Sequence, residues 1–277
     1  MINKSKLVLA YSGGLDTSYS LQKLSQDDFE VHAVSINTGG FSQNEIEIIQ
    51  RKAYQMGAHL YKNIDALDSF YNKIVKFLIY GNVLRNNNYP LSVSAERIIQ
   101  AIEVINYAKK IGAKYIAHGS TGAGNDQVRF DMIFQVLAPE IKIITLIRDL
   151  QLSREDEIKY LKTQGINLPW EKAKYSINQG LWGTSVGGAE TLTSDSPLPD
   201  AAYPSQLKTE TPEFLTLSFK KGELIKVNKT LGSPVELIQK LQEHAKKFAI
   251  GRDIHVGDSI IGIKGRIGFE AAASIII

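Results

Sequence analysis

The residues best suited to chemistry lie in two glycine-rich segments, and the first of these is Ala10–Ser18. Its sequence, Ala-Tyr-Ser-Gly-Gly-Leu-Asp-Thr-Ser, places the hydroxyls of Ser12, Thr17 and Ser18 and the carboxylate of Asp16 beside two adjacent glycines. The apolar stretch Leu7–Ala10 before it predicts a buried strand, and the amphipathic residues after it predict a helix. Backbone N–H groups and the helix dipole favour negative charge at such a junction. The segment therefore predicts a site for a phosphate-bearing substrate.

Residue type and spacing exclude two other phosphate loops. A Walker A loop has wider glycine spacing and a lysine before its Ser or Thr, whereas no lysine lies between Lys6 and Lys23. A dinucleotide-binding fingerprint has three spaced glycines, whereas Gly13 and Gly14 form only an adjacent pair. The alternative is a tight turn that binds nothing, and the flanking hydroxyl and carboxylate groups favour the anion site over it.

The second glycine-rich segment is His118–Phe130. Its three glycines allow a ligand to approach the backbone closely, and the guanidinium of Arg129 can pair with a carboxylate through two parallel hydrogen bonds. The further donors and acceptors are Thr121, Asn125 and Asp126. His118 is the only histidine in either segment, and a structural hydrogen bond is the role we predict for it. A glycine-rich turn capped by Asn or Asp is the alternative for the whole segment.

Composition limits the class of protein. The chain has 277 residues, of which 43% are hydrophobic and 22% charged, as in a globular protein of about two domains. The net charge of +3 does not require a nucleic-acid partner. The chain has no cysteine, which excludes disulfides, zinc–thiolate sites and a catalytic thiol. No signal peptide or membrane-spanning run is evident, so we expect a cytoplasmic enzyme without a membrane partner.

The element pattern predicts an α/β fold with two domains. Strands are predicted at Leu7–Ala10, Val31–Ile36, His59–Lys62, Tyr115–Ala117 and Ile141–Leu146. Helices are predicted near 16–25, 44–56, 68–79, 95–110, 127–137 and 153–164. This alternation indicates a doubly wound parallel sheet in residues 1–168, with ligands at the carboxyl ends of the strands.

Residues 169–277 are predicted to form a second domain of the α+β type. Residues 171–210 are rich in Gly, Ser, Thr and Pro, which indicates loops and short strands over a binding site. A hairpin is predicted from Phe214 to Val227. The next helix is predicted to begin at Ser233, with Pro234 at its first position and a capping box to Glu236, and to stop at Gly251. Short strands with glycine turns are predicted from Ile254 to Ile277.

The first segment resembles the PP-loop of the ATP pyrophosphatases, and both segments together closely resemble the argininosuccinate synthase family. The resemblance extends over nearly the whole chain, including Tyr89 to Arg97, Tyr175 to Ser185 and Gly262 to Phe269. It implies an adenine nucleotide α-hydrolase-like domain followed by a synthetase domain. It also implies a ligase that joins citrulline and aspartate at the expense of ATP, with Mg²⁺ as cofactor. In that reaction the ureido oxygen of citrulline attacks the α-phosphate, and the amine of aspartate then displaces AMP from citrullyl-AMP.

The resemblance assigns a role to individual residues. For ATP it implies Ala10, Tyr11, Ser12, Gly13, Gly14, Leu15, Asp16, Thr17, Ser18, Ile36 and Gly119. For aspartate it implies Thr121, Asn125 and Asp126. For citrulline it implies Tyr89, Ser94, Asn125, Arg129, Ser176 and Ser185. The catalytic residues would be Asp16, which can help hold Mg²⁺, and Asp126. No residue is expected to act as a nucleophile, because positioning and charge stabilisation suffice.

The chain departs from the family pattern in three respects. Ala123 stands where many members have Lys, and Gly257 and Phe269 stand where we expect a Glu and a Tyr that contact citrulline. Asp258 and Glu270 are the neighbouring carboxylates. The chain also ends on three isoleucines, before the C-terminal helix of the family, so we expect a truncated chain. The homotetramer of the family would then be incompletely held.

Two other functions fit the sequence less well. One is another PP-loop ligase or a tRNA-modifying enzyme, although thiolating and amidotransferase-coupled members depend on cysteine. The other is a module that binds ATP without turnover. Release of pyrophosphate only in the presence of citrulline would distinguish the synthase from both.

Overall fold

A computed structural model of the chain describes residues 4–122, 124–170, 174–258, 262 and 264–277. The chain divides into two compact units. Unit 1 consists of Met1–Asn37, Phe41–Ala66 and Arg97–Lys172. Unit 2 consists of Thr38–Gly40, Leu67–Glu96 and Ala173–Ile277.

The strands and helices have the following bounds, each type numbered in chain order. The strands are β1 (Ser5–Ala10), β2 (Phe29–Asn37), β3 (Leu60–Asp65), β4 (Tyr115–His118), β5 (Lys142–Ile144), β6 (Ser176–Gly180), β7 (Gly183–Gly187), β8 (Leu217–Lys220), β9 (Glu223–Val227), β10 (Thr230–Leu231), β11 (Arg252–Asp258) and β12 (Lys264–Glu270). The α-helices are α1 (Leu15–Gln26), α2 (Gln43–Gln55), α3 (Leu67–Phe70), α4 (Lys76–Tyr80), α5 (Ser92–Ile111), α6 (Asp126–Leu137), α7 (Leu146–Leu150), α8 (Arg154–Thr163), α9 (Pro234–Ala245) and α10 (Ala272–Ile276). A π-helical turn, Tyr71–Val75, joins α3 to α4, and 3₁₀ turns occupy Ala189–Leu192, Asp200–Ala202 and Lys246–Phe248.

Unit 1 contains a five-stranded sheet in the order β3-β2-β1-β4-β5, and every pairing in it is parallel. The chain runs outward from β1 to β3 and then returns to the other side of β1, so β1 and β4 flank the point where the strand order reverses. Open α/β sheets bind ligands outside the carboxyl ends of the strands at that point. Ala10 at the end of β1 pairs with His118 at the end of β4. Both glycine-rich segments therefore begin at this edge.

Helices cover both faces of this sheet, as the contacts of β2 show. Val31 and Ala33 belong to the core cluster that includes Leu21 of α1, whereas His32 between them hydrogen-bonds to Tyr107 of α5. Successive side chains of a strand point to opposite faces, so α1 and α5 lie on different faces of the sheet. The predicted doubly wound parallel-sheet fold is confirmed.

Unit 2 contains two antiparallel sheets. One has the order β11-β12-β7-β6 and the other β10-β9-β8. Ser233 caps α9 through the predicted capping box, in which its Oγ accepts from the N–H of Glu236, and Pro234 occupies the first turn. The prediction that this helix stops at Gly251 is wrong. The α-helix ends at Ala245, and a 3₁₀ turn leads to Ala249 in the left-handed region, with a φ of 51°.

Two other predicted elements are shorter or of a different type. The predicted strand Ile141–Leu146 is limited to β5, because Thr145 turns the chain into α7 and its hydroxyl donates to Asp149 Oδ2 at 2.7 Å. The predicted short strands after Ile254 are instead the long paired strands β11 and β12, followed by the helix α10. Within the described ranges, no helix is both long and apolar enough to span a membrane.

Candidate functional site

The first glycine-rich segment forms a compact turn at the start of α1. Gly14 is the N-cap residue of α1, and its N–H donates to Ser12 Oγ at 3.3 Å. The hydroxyls of Ser12 and Thr17 lie 3.2 Å apart, so the turn is held by its own side chains. Gly13 has a φ of 75°, a conformation that favours glycine. Because the first N–H groups of a helix have no intrahelical acceptor, this turn presents them to a ligand.

The inner side of this turn is fixed by buried hydroxyl groups. The N–H of Tyr11 donates to the carbonyl of Val34 at 2.9 Å, and Ser35 Oγ donates to the carbonyl of Tyr11 at 2.6 Å. The Tyr11 hydroxyl lies 3.2 Å from Ser18 Oγ. Burial raises the pKa of Tyr11 to about 12, so this hydroxyl stays protonated. These contacts tie the turn to β2 and limit its movement.

The second segment lies directly against the first. A Cβ built on Gly119 would lie 2.9 Å from Thr17 Cγ2 and 3.1 Å from Thr17 N. Real Cβ atoms rarely come so close, so glycine at position 119 is a packing requirement of this contact. The structure thus brings together the two segments that the sequence predicted to touch ATP.

Asp126, at the start of α6, lies between two arginines. Its carboxylate accepts from Arg97 Nε at 3.0 Å and from Arg129 Nη1 at 2.6 Å. Burial favours the neutral acid, but the two guanidinium groups more than offset it and hold the pKa of Asp126 below its ordinary value. Asp126 and Arg129, predicted for aspartate and citrulline respectively, are therefore direct partners. Arg97 is a partner that the sequence analysis did not identify.

His118 has the structural role that the sequence predicted. The ring is buried, its Nε2 lies 2.9 Å from Asp131 Oδ1, and its Nδ1 accepts from the N–H of Ser120 at 3.2 Å. Asp131 also accepts from Arg148 Nη1 at 2.5 Å, and Arg148 donates to Gln127 Oε1 at 3.1 Å. This network joins the end of β4 to α6 and α7 and so positions the second segment.

Asp16 faces a buried carboxyl group of α8. Burial, followed by the nearby charge of Asp16, raises the pKa of Glu157 to about 8. Burial also raises the pKa of Asp16, whereas a hydrogen bond from its own backbone, Arg154 and Glu157 each lower it. Glu157 therefore carries a proton at neutral pH that it can share with Asp16. The helical spacing of Glu157 and the buried Leu161 could have predicted a buried carboxyl group here.

In unit 2, Tyr89 lies in an aromatic cluster. Its ring stacks on His255 at a centroid distance of 4.7 Å and packs against Phe269 at 5.3 Å. Burial, together with Arg85, lowers the pKa of His255 and so favours its neutral ring. Gly257 lies beside the same imidazole, because a Cβ there would lie 2.8 Å from His255 Nε2. Positions 257 and 269, which are predicted to depart from the family pattern, therefore border His255 and Tyr89 respectively.

The three serines predicted to bind citrulline are placed differently. Ser94 donates to the carbonyl of Leu91 at 3.2 Å, and Ser176 is exposed at the start of β6. Ser185 is fully buried on β7, and its hydroxyl has no hydrogen-bond partner among the described residues. Ser185 pairs with Asn178 on one side and Phe269 on the other. Directly paired residues share a face of an antiparallel sheet, so Ser185 lies on the face that carries the Phe269–Tyr89 contact.

Glu270, which follows Phe269 in the sequence, has different surroundings from Phe269. Glu270 is buried, accepts from Arg252 Nε at 3.1 Å and also accepts from Ser205 Oγ. As the next residue along β12, it points to the face opposite Phe269. Ala123 and the side chain of Asp258 lie outside the part of the chain that the structure describes.

The remaining predicted residues fall on the carboxyl edge of the unit 1 sheet or close to it. Ile36 is buried near the end of β2, and Thr121 is exposed in the second segment. Unit 1 thus brings Gly119 against Thr17 of the first segment, and Arg129 against Asp126. Their binding roles stay predictions.

Family models match both halves of the chain. One, described as the arginosuccinate synthase N-terminal HUP domain, matches residues 6–167, and another, described as the arginosuccinate synthase C-terminal domain, matches residues 175–277.

Curated relatives match almost the whole chain. The argininosuccinate synthase of Methanocaldococcus jannaschii is 39% identical over 276 residues, which cover 98% of this chain and 69% of the relative. That of Sulfurisphaera tokodaii is 35% identical over 273 residues, which cover 98% and 70%. That of Pyrococcus furiosus is 36% identical over 274 residues, which cover 98% and 66%.

Proposed function

The chain belongs to the argininosuccinate synthase family, and on that premise we propose that it joins citrulline to aspartate with conversion of ATP to AMP and pyrophosphate. The predicted family, the α/β fold class and the assignment as a ligase are confirmed. We further propose that residues 1–168 form the nucleotide-binding domain and residues 169–277 the synthetase domain.

One observation carries the proposal furthest. The turn at Gly13–Gly14 and the second segment at Gly119 are packed together where the strand order reverses, so closely that a methyl group between Gly119 and Thr17 would not fit. A triphosphate bound at the N-terminus of α1 would place its β- and γ-phosphates against backbone N–H groups. Cleavage between the α- and β-phosphates then gives pyrophosphate as the leaving group, and those N–H groups stabilise its charge.

The residue assignments follow from this arrangement and from the family. ATP would contact Ala10, Tyr11, Ser12, Gly13, Gly14, Leu15, Asp16, Thr17, Ser18, Ile36 and Gly119. Aspartate would contact Thr121, Asn125 and Asp126. For citrulline the family assigns Tyr89, Ser94, Asn125, Arg129, Ser176 and Ser185. Arg97 would hold the Asp126 carboxylate ionised and oriented toward Arg129.

Asp16 is the residue that we propose for Mg²⁺. Its neighbour Glu157 carries a proton at neutral pH, so Asp16 is the member of this pair that would supply an anionic oxygen. Carboxylate oxygens suit Mg²⁺, which binds proteins through one or two carboxylates and substrate phosphates. The ion would neutralise charge on the phosphates. The protein itself contributes the fixed backbone donors and the orientation of the acceptor.

The chemistry needs no nucleophile from the protein. The ureido oxygen of citrulline attacks the α-phosphate and the aspartate amine then displaces AMP, so the enzyme has to align three substrates and exclude water. His118 is consistent with a reaction that uses no nucleophile from the protein, because its buried, hydrogen-bonded ring supports the second segment.

The test is pyrophosphate release under defined substrate combinations. The purified chain with Mg²⁺ and ATP should release pyrophosphate only when citrulline is added, and argininosuccinate should form only when aspartate is also present. With citrulline labelled by ¹⁸O in the ureido group, the label should appear in AMP. Release of pyrophosphate without citrulline would indicate another PP-loop enzyme, and binding of ATP without any release would indicate a binding module.

We also propose a cytoplasmic homo-oligomer, with the tetramer of the family as the form to test. Sedimentation equilibrium of this chain should give a mass well above the 30.7 kDa of one copy. A single-copy mass would contradict the oligomer and leave the assignment of the reaction to the pyrophosphate assay.

A further inference from the structure

Glu30, His32 and His59 bring their ligand atoms together at the amino end of the unit 1 sheet. Glu30 Oε1 lies 3.0 Å from His32 Nε2 and 3.6 Å from His59 Nε2, and the three ligand atoms all lie within 4.8 Å of one another. Zinc–ligand bonds of 2.0–2.2 Å in a tetrahedral site place neighbouring ligand atoms about 3.3 Å apart. The three side chains are therefore close to the spacing that one metal ion requires.

The local fold explains why these residues converge. Glu30 and His32 are two residues apart on β2, so both side chains point to the same face of the sheet. His59 immediately precedes β3, the neighbouring strand, and its N–H donates to the carbonyl of Val31 at 2.9 Å. The backbone of β2 and the start of β3 thus fix the cluster from two adjacent strands.

One of the two imidazoles is already oriented. The side chain of His32 is only 8% exposed, and its Nδ1 lies 2.9 Å from the hydroxyl of Tyr107 on α5. When that Nδ1 carries the proton and donates to Tyr107, the Nε2 lone pair is directed at the cluster. A second hydrogen bond of this kind fixes the tautomer of most metal-binding histidines. The side chain of His59 is 59% exposed, so it can adjust its position with little cost.

The ammonium group of Lys6 is near the cluster but is bound elsewhere. Lys6 pairs with Glu30 in the register of β1 and β2, but its ammonium group donates to the carbonyl of Ile111 at 3.2 Å. Glu30 therefore remains able to supply an oxygen ligand beside the two imidazoles. Imidazole and carboxylate ligands suit Zn²⁺ and related divalent ions, and three protein ligands leave a fourth position for water.

We propose that Glu30, His32 and His59 form a binding site for one Zn²⁺ ion, separate from the nucleotide site. The cluster and the phosphate loop lie at opposite ends of the sheet. Glu30 is opposite Lys6 in the register, whereas the loop begins at Ala10, four residues further along β1, or about 13 Å. The ion would therefore join β2 to β3 and stabilise the sheet, without contact to the reacting phosphates.

The experiment uses the whole chain, freed of metal with a chelator and titrated with Co²⁺. Four-coordinate Co²⁺ absorbs visible light strongly, so binding can be followed directly, and added Zn²⁺ should displace it. We expect one Co²⁺ per chain. H59A and E30Q should each weaken binding at least 100-fold, and Y107F should weaken it about 10- to 100-fold, as is usual when a partner of a ligating histidine is removed.

H244A is the matched control. His244 Nε2 lies 3.0 Å from Glu213, and among the described residues this pair belongs to no group of three potential metal ligands. H244A should therefore bind Co²⁺ like the unmodified chain. The proposal is overturned if the unmodified chain binds no Co²⁺, if H59A and E30Q bind it unchanged, or if H244A loses binding as they do. The pyrophosphate assay is independent of each of these outcomes.

Discussion

In unit 1, the residues predicted to bind ATP lie at or near the carboxyl ends of three neighbouring parallel strands, whereas in unit 2 the residues predicted to bind citrulline come from a loop, a helix and two antiparallel strands. The unit 1 group is held by contacts that its own segments make, such as those between Ser12, Thr17 and Gly119. In unit 2, Tyr89 packs against Phe269 and stacks on His255, both from other parts of the chain.

The two groups depend on different features of the sequence. A phosphate site built from backbone N–H groups depends on glycines and on a helix terminus, and these are local features. A site built from side chains depends on the identity of each residue. Gly257 and Phe269, which are predicted to depart from the family pattern, lie in unit 2 beside His255 and Tyr89, where a changed side chain would alter a site of the second kind.

The largest effect is expected where the two segments of unit 1 touch. G119A places a methyl group 2.9 Å from Thr17 Cγ2 and forces the segments apart. Because misplacement of about 1 Å can cost about 100-fold in rate, citrulline-dependent pyrophosphate release should fall by about that factor. G187A in β7 is the matched control, since a methyl group there would meet nothing within 4 Å. If G119A kept full activity, the contact between the segments would not be required for catalysis.

Much of unit 1 could be predicted from sequence because its signals are local. The buried strand Leu7–Ala10, the glycine turn and the amphipathic helix after it predicted β1, the loop and α1. The capping box at Ser233 likewise predicted the start of α9. The edge strand β5 was predicted too long, because the hydrogen bond from Thr145 to Asp149 begins α7.

The partners of the site residues could not be predicted in the same way. Arg97 lies 29 positions before Asp126, and only the fold brings its Nε within 3.0 Å of the Asp126 carboxylate. The contact of Tyr89 with His255 joins residues that are still further apart in sequence. Long-range pairs of this kind depend on packing rather than on local periodicity.

The next largest effect tests whether Arg129 acts through its charge or its shape. R129K keeps the charge but removes the planar group that can hold a carboxylate through two hydrogen bonds. We expect the KM for citrulline to rise about tenfold and the KM for ATP to stay nearly unchanged, because hydrogen bonds to charged groups contribute about 1.5–3 kcal/mol. Steady-state kinetics with each substrate varied would measure this. R51K, on an exposed part of α2, is the control. An equal rise in both KM values would contradict a specific role toward citrulline.

A smaller effect concerns the carboxyl pair beneath the phosphate loop. Glu157 has a pKa of about 8 in the folded chain against an ordinary value of 4.5. Between these values an unfolded chain loses the proton and the folded chain keeps it, so the stabilisation present below pH 4.5 is lost as the pH rises toward 8. E157Q has no carboxyl group to ionise. The fall in the free energy of unfolding from about pH 5 to about pH 9 should therefore be smaller in E157Q, by about 1–2 kcal/mol after allowance for solvent screening.

E155Q is the control for this measurement. Glu155 lies in the same first turn of α8 but is exposed, so its replacement should leave the pH dependence of unfolding unchanged. Urea unfolding at the two pH values would provide the free energies. If E157Q and the unmodified chain lost stability in parallel, the buried pair would carry no coupled proton, and Asp16 would be ionised independently of its neighbour.

The smallest effect tests the predicted citrulline contact of Ser185 in unit 2. Ser185 is buried with no hydrogen-bond partner among the described residues, so S185A should leave the free energy of unfolding unchanged or raise it by up to about 1 kcal/mol. If its hydroxyl binds citrulline, the KM for citrulline should nevertheless rise about threefold to tenfold. S205A is the matched control, because Ser205 is also buried but donates to Glu270. It should lower stability by about 1 kcal/mol and leave the KM for citrulline unchanged. An unchanged KM in S185A would mean that unit 2 keeps this serine only as part of its core, and that the family pattern transfers to unit 1 but not to this strand.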